Sequence, residues 1–229
     1  MAKSNAVIIG GGVVGVCCAY YLAREGWDVT LLEQGDVCSG CSYGNCGMIV
    51  PSHSIPLAAP GVWLKGLKWM ADPESPLYIK PQPKYDLLAW LWRFRGACNA
   101  AHVRRAIPVL RDLSYASRGL FQELAGIGGF DFGYRENGML TVFRTAKGYE
   151  EGIEEAHLLR EGGVSVHILG AADAQSLEPT LAPGIVGGVL FPDDASLVPD
   201  VFVRGLAGIG QRMGVQVRTE TEVLGFRIA

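Results

Sequence analysis

The sequence predicts an α/β fold built on a parallel sheet, and three observations near its start carry that prediction. Residues 6–9, AVII, form a short apolar run of the composition a strand needs when both of its faces are covered. Three glycines follow in the spacing G-x-G-x-x-G, at Gly10, Gly12 and Gly15, and open a helical stretch. A second apolar strand over residues 28–32 then ends on an acid, Glu33, eighteen positions beyond Gly15. The order strand, glycine turn, helix, strand, acid is that of a Rossmann-like dinucleotide-binding unit, in which the acid stands roughly 20 residues on.

Each glycine has a physical task. Gly10 permits the tight turn out of the strand, and Gly12, lacking a Cβ, lets a pyrophosphate approach the backbone. Gly15 lets the helix lie close to the strand. The N–H groups at the start of that helix, at Val13 and Val14, face the phosphates together with the positive end of the helix dipole. The Glu33 carboxylate is suited to accept hydrogen bonds from both hydroxyls of an adenosine ribose and would repel a 2′-phosphate. The chain holds 31 glycines, so the motif alone says little. Its context is what makes it informative: Ala19 and Leu22 fall on the sheet side of the helix, and Gly26 ends it before the second strand.

Residues 4–23 carry no charge and follow Lys3, a pattern shared with export signals and membrane spans. The glycines interrupt the run, and Arg24 and Glu25 follow at once, so the strand–turn–helix reading is preferred and no export is expected. Composition agrees with a packed core: 49% hydrophobic and 19% charged residues exclude a disordered chain. A net charge of −3 excludes a general nucleic-acid binder. With no export expected, the six cysteines read as reduced thiols and the protein as cytoplasmic.

Residues 34–60 read as a long loop of small residues, without acid or basic charge after Asp36. Such a loop beside a dinucleotide site is suited to lie against a flat, mostly apolar ligand. Cys38, Cys41 and Cys46 tempt a metal reading. A closed site needs four ligands, and His53 is the one further ligand type nearby, so no metal is expected.

Residues 61–97 hold four of the five tryptophans, Trp63, Trp69, Trp90 and Trp92. Two helices, over 61–70 and 84–95, are expected on either side of Pro73, Pro76, Pro81 and Pro83. The mixture of Trp, Leu and Lys fits a membrane-surface patch or an aromatic seam between domains, packing being the commoner use of aromatics.

A helical pattern with Val103, Ile107, Leu110, Leu113 and Leu120 covers residues 98–126, with Pro108 as an expected kink. Runs 132–136 and 139–144 flank Asn137-Gly138, the dipeptide of a tight hairpin. A helix over 147–161, a strand over 164–169, a helix over 171–177 and a strand over 185–191 follow. Pro199 starts a helix whose stripe, Phe202, Leu206, Ile209 and Met213, suits a sheet surface. Strands are expected over 215–218, as a third member of the parallel sheet, and over 222–228. A doubly wound sheet needs more strands than these, so the sequence reads as the first part of a longer protein.

Residues 6–33, the loop CSYGNCGM (41–48), the stretch PLAAPGVWLKGLKWM (56–70) and the segment 181–207 together resemble FAD-dependent D-amino acid dehydrogenases, of the wider glycine oxidase and D-amino acid oxidase family. The resemblance covers essentially the whole chain. It implies an incomplete Rossmann-like FAD-binding domain over 1–51 and 196–229, and part of an α+β substrate domain with an antiparallel sheet over 52–195. FAD would lie on Gly10, Gly12, Val13, Val14 and Gly15, with Glu33 and Gln34 at the adenosine. Ser39, Cys41 and Ser42 would follow the pyrophosphate and ribityl chain, Ser42 as a hydrogen-bond donor. The backbone of Asn45, Cys46, Gly47 and Met48 would lie near the flavin ring, and that of Val223 at the adenine.

The chemistry implied is hydride transfer from the α-carbon of an amino acid to flavin N5, giving an imino acid that hydrolyses to a keto acid. In the family, the arginine and tyrosines around the substrate lie in a C-terminal part that this sequence lacks, so no catalytic residue is expected here with His53 as the one candidate. Cys46 stands where the family usually has alanine. The alternative is an FAD-binding subunit or inactive fragment that needs a second polypeptide. An NAD-dependent dehydrogenase is disfavoured because no nicotinamide half follows. Peripheral association of the full-length protein with the cytoplasmic face of a membrane, through the Trp63–Trp92 region, is a further expectation.

Overall fold

The computed structural model of the chain describes residues 4–69, 82 and 84–227. Along it run β1 (Asn5–Ile9), α1 (Val13–Arg24), β2 (Asp28–Leu32), β3 (Met48–Ile49), α2 (Val62–Trp69), α3 (Tyr85–Ala97), α4 (Ala100–Ala125), β4 (Met139–Phe143), α5 (Ala146–Glu161), β5 (His167–Gly170), α6 (Ala171–Leu177), β6 (Gly187–Phe191), β7 (Ala195–Ser196), α7 (Pro199–Arg212) and β8 (Gln216–Arg218). These form two units. The first takes Met1–Ile49, Leu120–Arg135 and Ser196–Ala229, the second Val50–Gly119 and Glu136–Ala195.

In the first unit β1, β2 and β8 make a parallel sheet in that order. The register pairs Ile8 with Leu31 and Leu31 with Val217, which puts them on one face. Helices α1 and α7 cover this face: Val16, Ala19 and Tyr20 of α1 and Phe202, Val203, Leu206 and Ile209 of α7 share one core with Val29 and Leu31. Val7 and Ile9 point to the other face and remain 65% and 52% exposed.

Residues 120–135, placed by the sequence reading in the middle segment, belong to this unit. The reason is aromatic packing: the Phe202 ring lies 5.0 Å from the rings of both Phe121 and Phe132, and 6.1 Å from that of Phe130.

The expected hairpin at Asn137-Gly138 does not form. Arg135 bridges to Ser196, whereas β4 pairs antiparallel with β6. Gly138, with φ +71°, instead donates its N–H to the Asp194 carbonyl, and a Cβ there would stand 2.9 Å from the Phe191 carbonyl oxygen. The glycine thus serves a close approach to the end of β6 (Gly187–Phe191), not a two-residue turn. The expected final strand is also missing, for residues 222–227 are coil with Leu224 and Phe226 exposed. They have no neighbouring strand to pair with among the described residues.

In the second unit β4, β6 and β5 form an antiparallel sheet in that order. Ala156 and Leu159 of α5 pack with Val164, Val166, Val189 and Phe191 into its core. Thr145 caps α5, its hydroxyl accepting the Gly148 N–H. Helix α4 runs on through Pro108. Helices α2 and α3 occupy the expected places, and Met70 and the four prolines between them lie outside the described residues. No residue of α3 is buried, and its Tyr85, Leu88 and Trp92 are well exposed.

Candidate cofactor site

The site is built at the end of β1. Gly10 takes φ +106°, and its N–H donates to Leu32 at 2.8 Å, so the turn is tied to the end of β2. A side chain at Gly15 would overlap the Gly10 carbonyl oxygen, so the helix start is pressed against the turn. Helix α1 opens at Val13 with Gly12 as its N-cap and no side-chain cap from that residue. Its first N–H groups are therefore open to outside partners.

Ser42 takes one of these and Glu33 takes N–H groups beside the turn. Ser42 Oγ accepts the Val13 N–H at 2.9 Å. Glu33 accepts the Gly11 N–H on Oε2 at 2.6 Å and the Gly35 N–H on Oε1 at 2.9 Å. These backbone donors, Gly35 foremost, hold the Glu33 carboxyl below its usual value. A Cβ at Gly12 would come 3.0 Å from Ser42 Oγ. The cradle between turn and loop is one that any side chain at Gly12 would fill, which is the space a diphosphate needs.

The loop over residues 39–46 lies between two left-handed residues, Cys38 at φ 67° and Gly47 at φ 61°. Cys38 is buried and donates its N–H to the Gly11 carbonyl at 3.0 Å. Burial raises its thiol pKa, and burial pushes Cys17 in α1 up to about 11, so neither is a ready thiolate. Asn45 Nδ2 donates to the carbonyls of Ser42 and Cys41 at 3.1 and 3.3 Å, and Oδ1 accepts the Gly47 N–H at 2.8 Å. Leu197 donates to the Gly47 carbonyl at 2.8 Å, and a side chain at Gly47 would overlap the Leu197 carbonyl oxygen. The Arg204 guanidinium stands 5.9 Å over the Tyr43 ring.

The structure brings six of the expected residues together at one end of the parallel sheet. Gly10, Gly12, Val13, Gly15, Glu33 and Ser42 meet there by direct contact or hydrogen bond. Val14 is exposed on the first turn of α1, and Gln34, Ser39, Cys41, Cys46 and Met48 are exposed along the loop. Val223 follows Thr221, whose N–H donates to the Glu33 carbonyl at 2.8 Å. Ser42 plays a role the sequence reading did not foresee, since its hydroxyl accepts from the helix start. His53 lies in the second unit, exposed, on a turn held by its own N–H to the Val50 carbonyl.

That turn holds the polar feature sequence reasoning missed. Asp194 is 2% exposed, and its carboxylate accepts the Ser52 N–H at 3.1 Å and the Ser52 hydroxyl at 2.6 Å. Burial raises its pKa, partly offset by the Ser52 bonds. Ser54, also buried, donates to the Pro51 carbonyl at 2.6 Å. No local pattern announces a contact across 142 residues. Among the described residues no group of three His, Cys, Asp or Glu comes together as a metal site, and none of the helices is long and apolar enough to cross a membrane.

The sequence matches the family described as "FAD dependent oxidoreductase" over residues 5–229. The D-amino acid dehydrogenase of Methylobacterium nodulans is 36% identical over 225 residues, covering 96% of this chain and 53% of its own length. That of Granulibacter bethesdensis is 35% identical over 225 residues, covering 96% and 54%. Among solved structures, the glycine oxidase of Bacillus cereus superposes with a TM-score of 0.69 at 21% identity, covering the whole chain and 49% of the oxidase. The chain therefore spans about half the length of the curated relatives it matches, and the likeness to the oxidase is one of fold.

Proposed function

Because the chain belongs to the family of FAD-dependent oxidoreductases, we propose that it serves the oxidation of an amino acid of the D series and carries the FAD-holding part of that enzyme. The observation that carries this reading is the glycine turn of Gly10, Gly12 and Gly15 with Glu33 and Ser42 on N–H groups at that turn, in a chain of which 96% matches 53% of a D-amino acid dehydrogenase at 36% identity. Bound flavin supplies the acceptor for the hydride of the amino acid α-carbon, and the imino acid released hydrolyses to a keto acid.

The chain's own residues do the holding. Gly10, Gly12, Val14 and Gly15 form the turn on which the diphosphate lies, and Ser42, seated on the Val13 N–H, borders it. Glu33 takes the ribose hydroxyls, with Gln34 next to it. Ser39 and Cys41 border the path of the cofactor, the backbone of Asn45, Cys46, Gly47 and Met48 lies along the ring, and Val223 lies at the adenine. His53 is the candidate for a substrate-facing side chain.

A second reading, favoured by the open sheet face at Val7 and Ile9, is that further chain equivalent to the other half of the relatives completes the active site. The exposed Tyr85, Leu88 and Trp92 of α3, with Arg93 and Arg95 on the same helix, support docking of the complete protein on the cytoplasmic face of an anionic membrane.

The test supplies the chain, loaded with FAD, with the second half of the Methylobacterium nodulans relative and follows flavin absorbance under anaerobic conditions. D-amino acids should bleach it and L-amino acids should not. Bleaching by L-amino acids alone, or no bleaching by either, would overturn the substrate assignment.

A further inference from the structure

We infer that the side chain of Asn45 positions the cofactor site, acting through Ser42 and not by its amide touching the cofactor. The inference rests on the reading that FAD lies on the Gly10–Gly15 turn.

The loop over 39–46 contains no strand or helix that would fix its backbone. It leaves Cys38 and enters Gly47 through two left-handed residues, so its course between them is set by its own bonds. One side chain supplies three of these. Asn45 Nδ2 reaches back to the Ser42 and Cys41 carbonyls, and Oδ1 reaches forward to the Gly47 N–H. The Ser42 carbonyl is thus held from one side while the Ser42 hydroxyl is held on the Val13 N–H from the other. With its hydrogen-bonding atoms engaged inside the loop, the Asn45 amide is directed at the loop and not outward at a ligand.

Chemistry makes the role specific to the amide. Aspartate keeps the acceptor for Gly47 but turns a second acceptor oxygen toward two carbonyls, which repel it. Glutamine has the right groups one methylene too far out. Alanine removes all three bonds. Each variant releases the Ser42 backbone, and with it the hydroxyl that stands at the helix start.

The experiment uses the 229-residue chain as Asn45→Ala, Asn45→Asp, Ser42→Ala and the double variant N45A/S42A. Two readouts are taken: the FAD dissociation constant from quenching of flavin fluorescence, and the hydrogen-exchange rate of the Val13 amide without FAD. Asn45→Ala and Asn45→Asp should each weaken FAD by roughly five- to tenfold and speed Val13 exchange, with the apo melting temperature held within about 3 °C. The double variant should be no weaker than Ser42→Ala alone, because the two residues act in series.

Additive losses in the double variant would overturn action through Ser42. Unchanged FAD affinity and unchanged Val13 exchange in Asn45→Asp would overturn the positioning role altogether. If the unaltered chain binds no FAD, the cofactor reading fails, and Val13 exchange alone decides whether Asn45 positions Ser42.

Discussion

Ser42 and Val13 stand 29 residues apart in sequence and 2.9 Å apart in space, the hydroxyl of one accepting the N–H of the other. The loop that follows β2 is thereby tied to the first turn of α1. Gly12 lies under this contact, with room for no Cβ beyond 3.0 Å of Ser42 Oγ. Gly12→Val should therefore abolish FAD retention, because its side chain occupies the space between loop and turn. Gel filtration with FAD, followed by absorbance of the protein peak, checks this, and normal retention by the variant would remove the site from this turn.

Gly15 acts on the fold before it acts on the site. An added methyl meets the Gly10 carbonyl oxygen, and the Gly10 N–H tie to Leu32 keeps the strand end from retreating. Gly15→Ala should cost about 3 kcal/mol of stability, read as a lowered urea midpoint at an unchanged slope. A midpoint equal to that of the unaltered chain would show that the helix can shift.

Glu33 makes the stability pH-dependent in a definite direction. Its folded pKa lies below the unfolded value near 4.5, because Gly35 and Gly11 donate to the carboxylate. The stability it contributes is complete above that unfolded value and is lost as pH falls through the folded one. Glu33→Gln should therefore flatten the decline of stability with acid below about pH 4.5. Urea titrations of both proteins between neutral and acid pH check it. Parallel curves would mean that other carboxylates carry the acid dependence.

Asp194 and Ser52 form a buried unit that should behave as one in mutagenesis. Asp194→Ala leaves the Ser52 N–H and hydroxyl without their acceptor and should cost about 2 to 3 kcal/mol, whereas Asp194→Asn, which keeps the shape and one acceptor, should cost about half as much. Ser52→Ala combined with Asp194→Ala should fall short of the sum of the single losses, as two partners of one pair do. Strict additivity in a double-mutant cycle of urea midpoints would show the two to be independent.

What was legible in the sequence was what local spacing encodes. Gly10, Gly12, Gly15 and Glu33 are set by strand, turn and helix geometry within one short stretch, and the Phe202, Leu206 and Ile209 stripe of α7 follows from helical period. The stripe ends there, since Met213 is the C-cap of α7 and is half exposed. Asn45-x-Gly47 carried a readable signal for its side-chain bond to the N–H two residues on. Contacts between distant segments were not legible. Asn137-Gly138 has hairpin chemistry, yet the partner strand of β4 is β6, which comes 44 residues after the end of β4 and ahead of any local alternative. The aromatic cluster that draws residues 120–135 to Phe202 depends on ring contacts without a sequence period.

The proposed FAD site is formed by residues within this chain. The most direct test is the visible absorbance of the purified 229-residue chain after FAD is added and free cofactor removed. A retained flavin band is expected, shifted from that of free FAD and lost in Gly12→Val. A folded, soluble and colourless chain would contradict it.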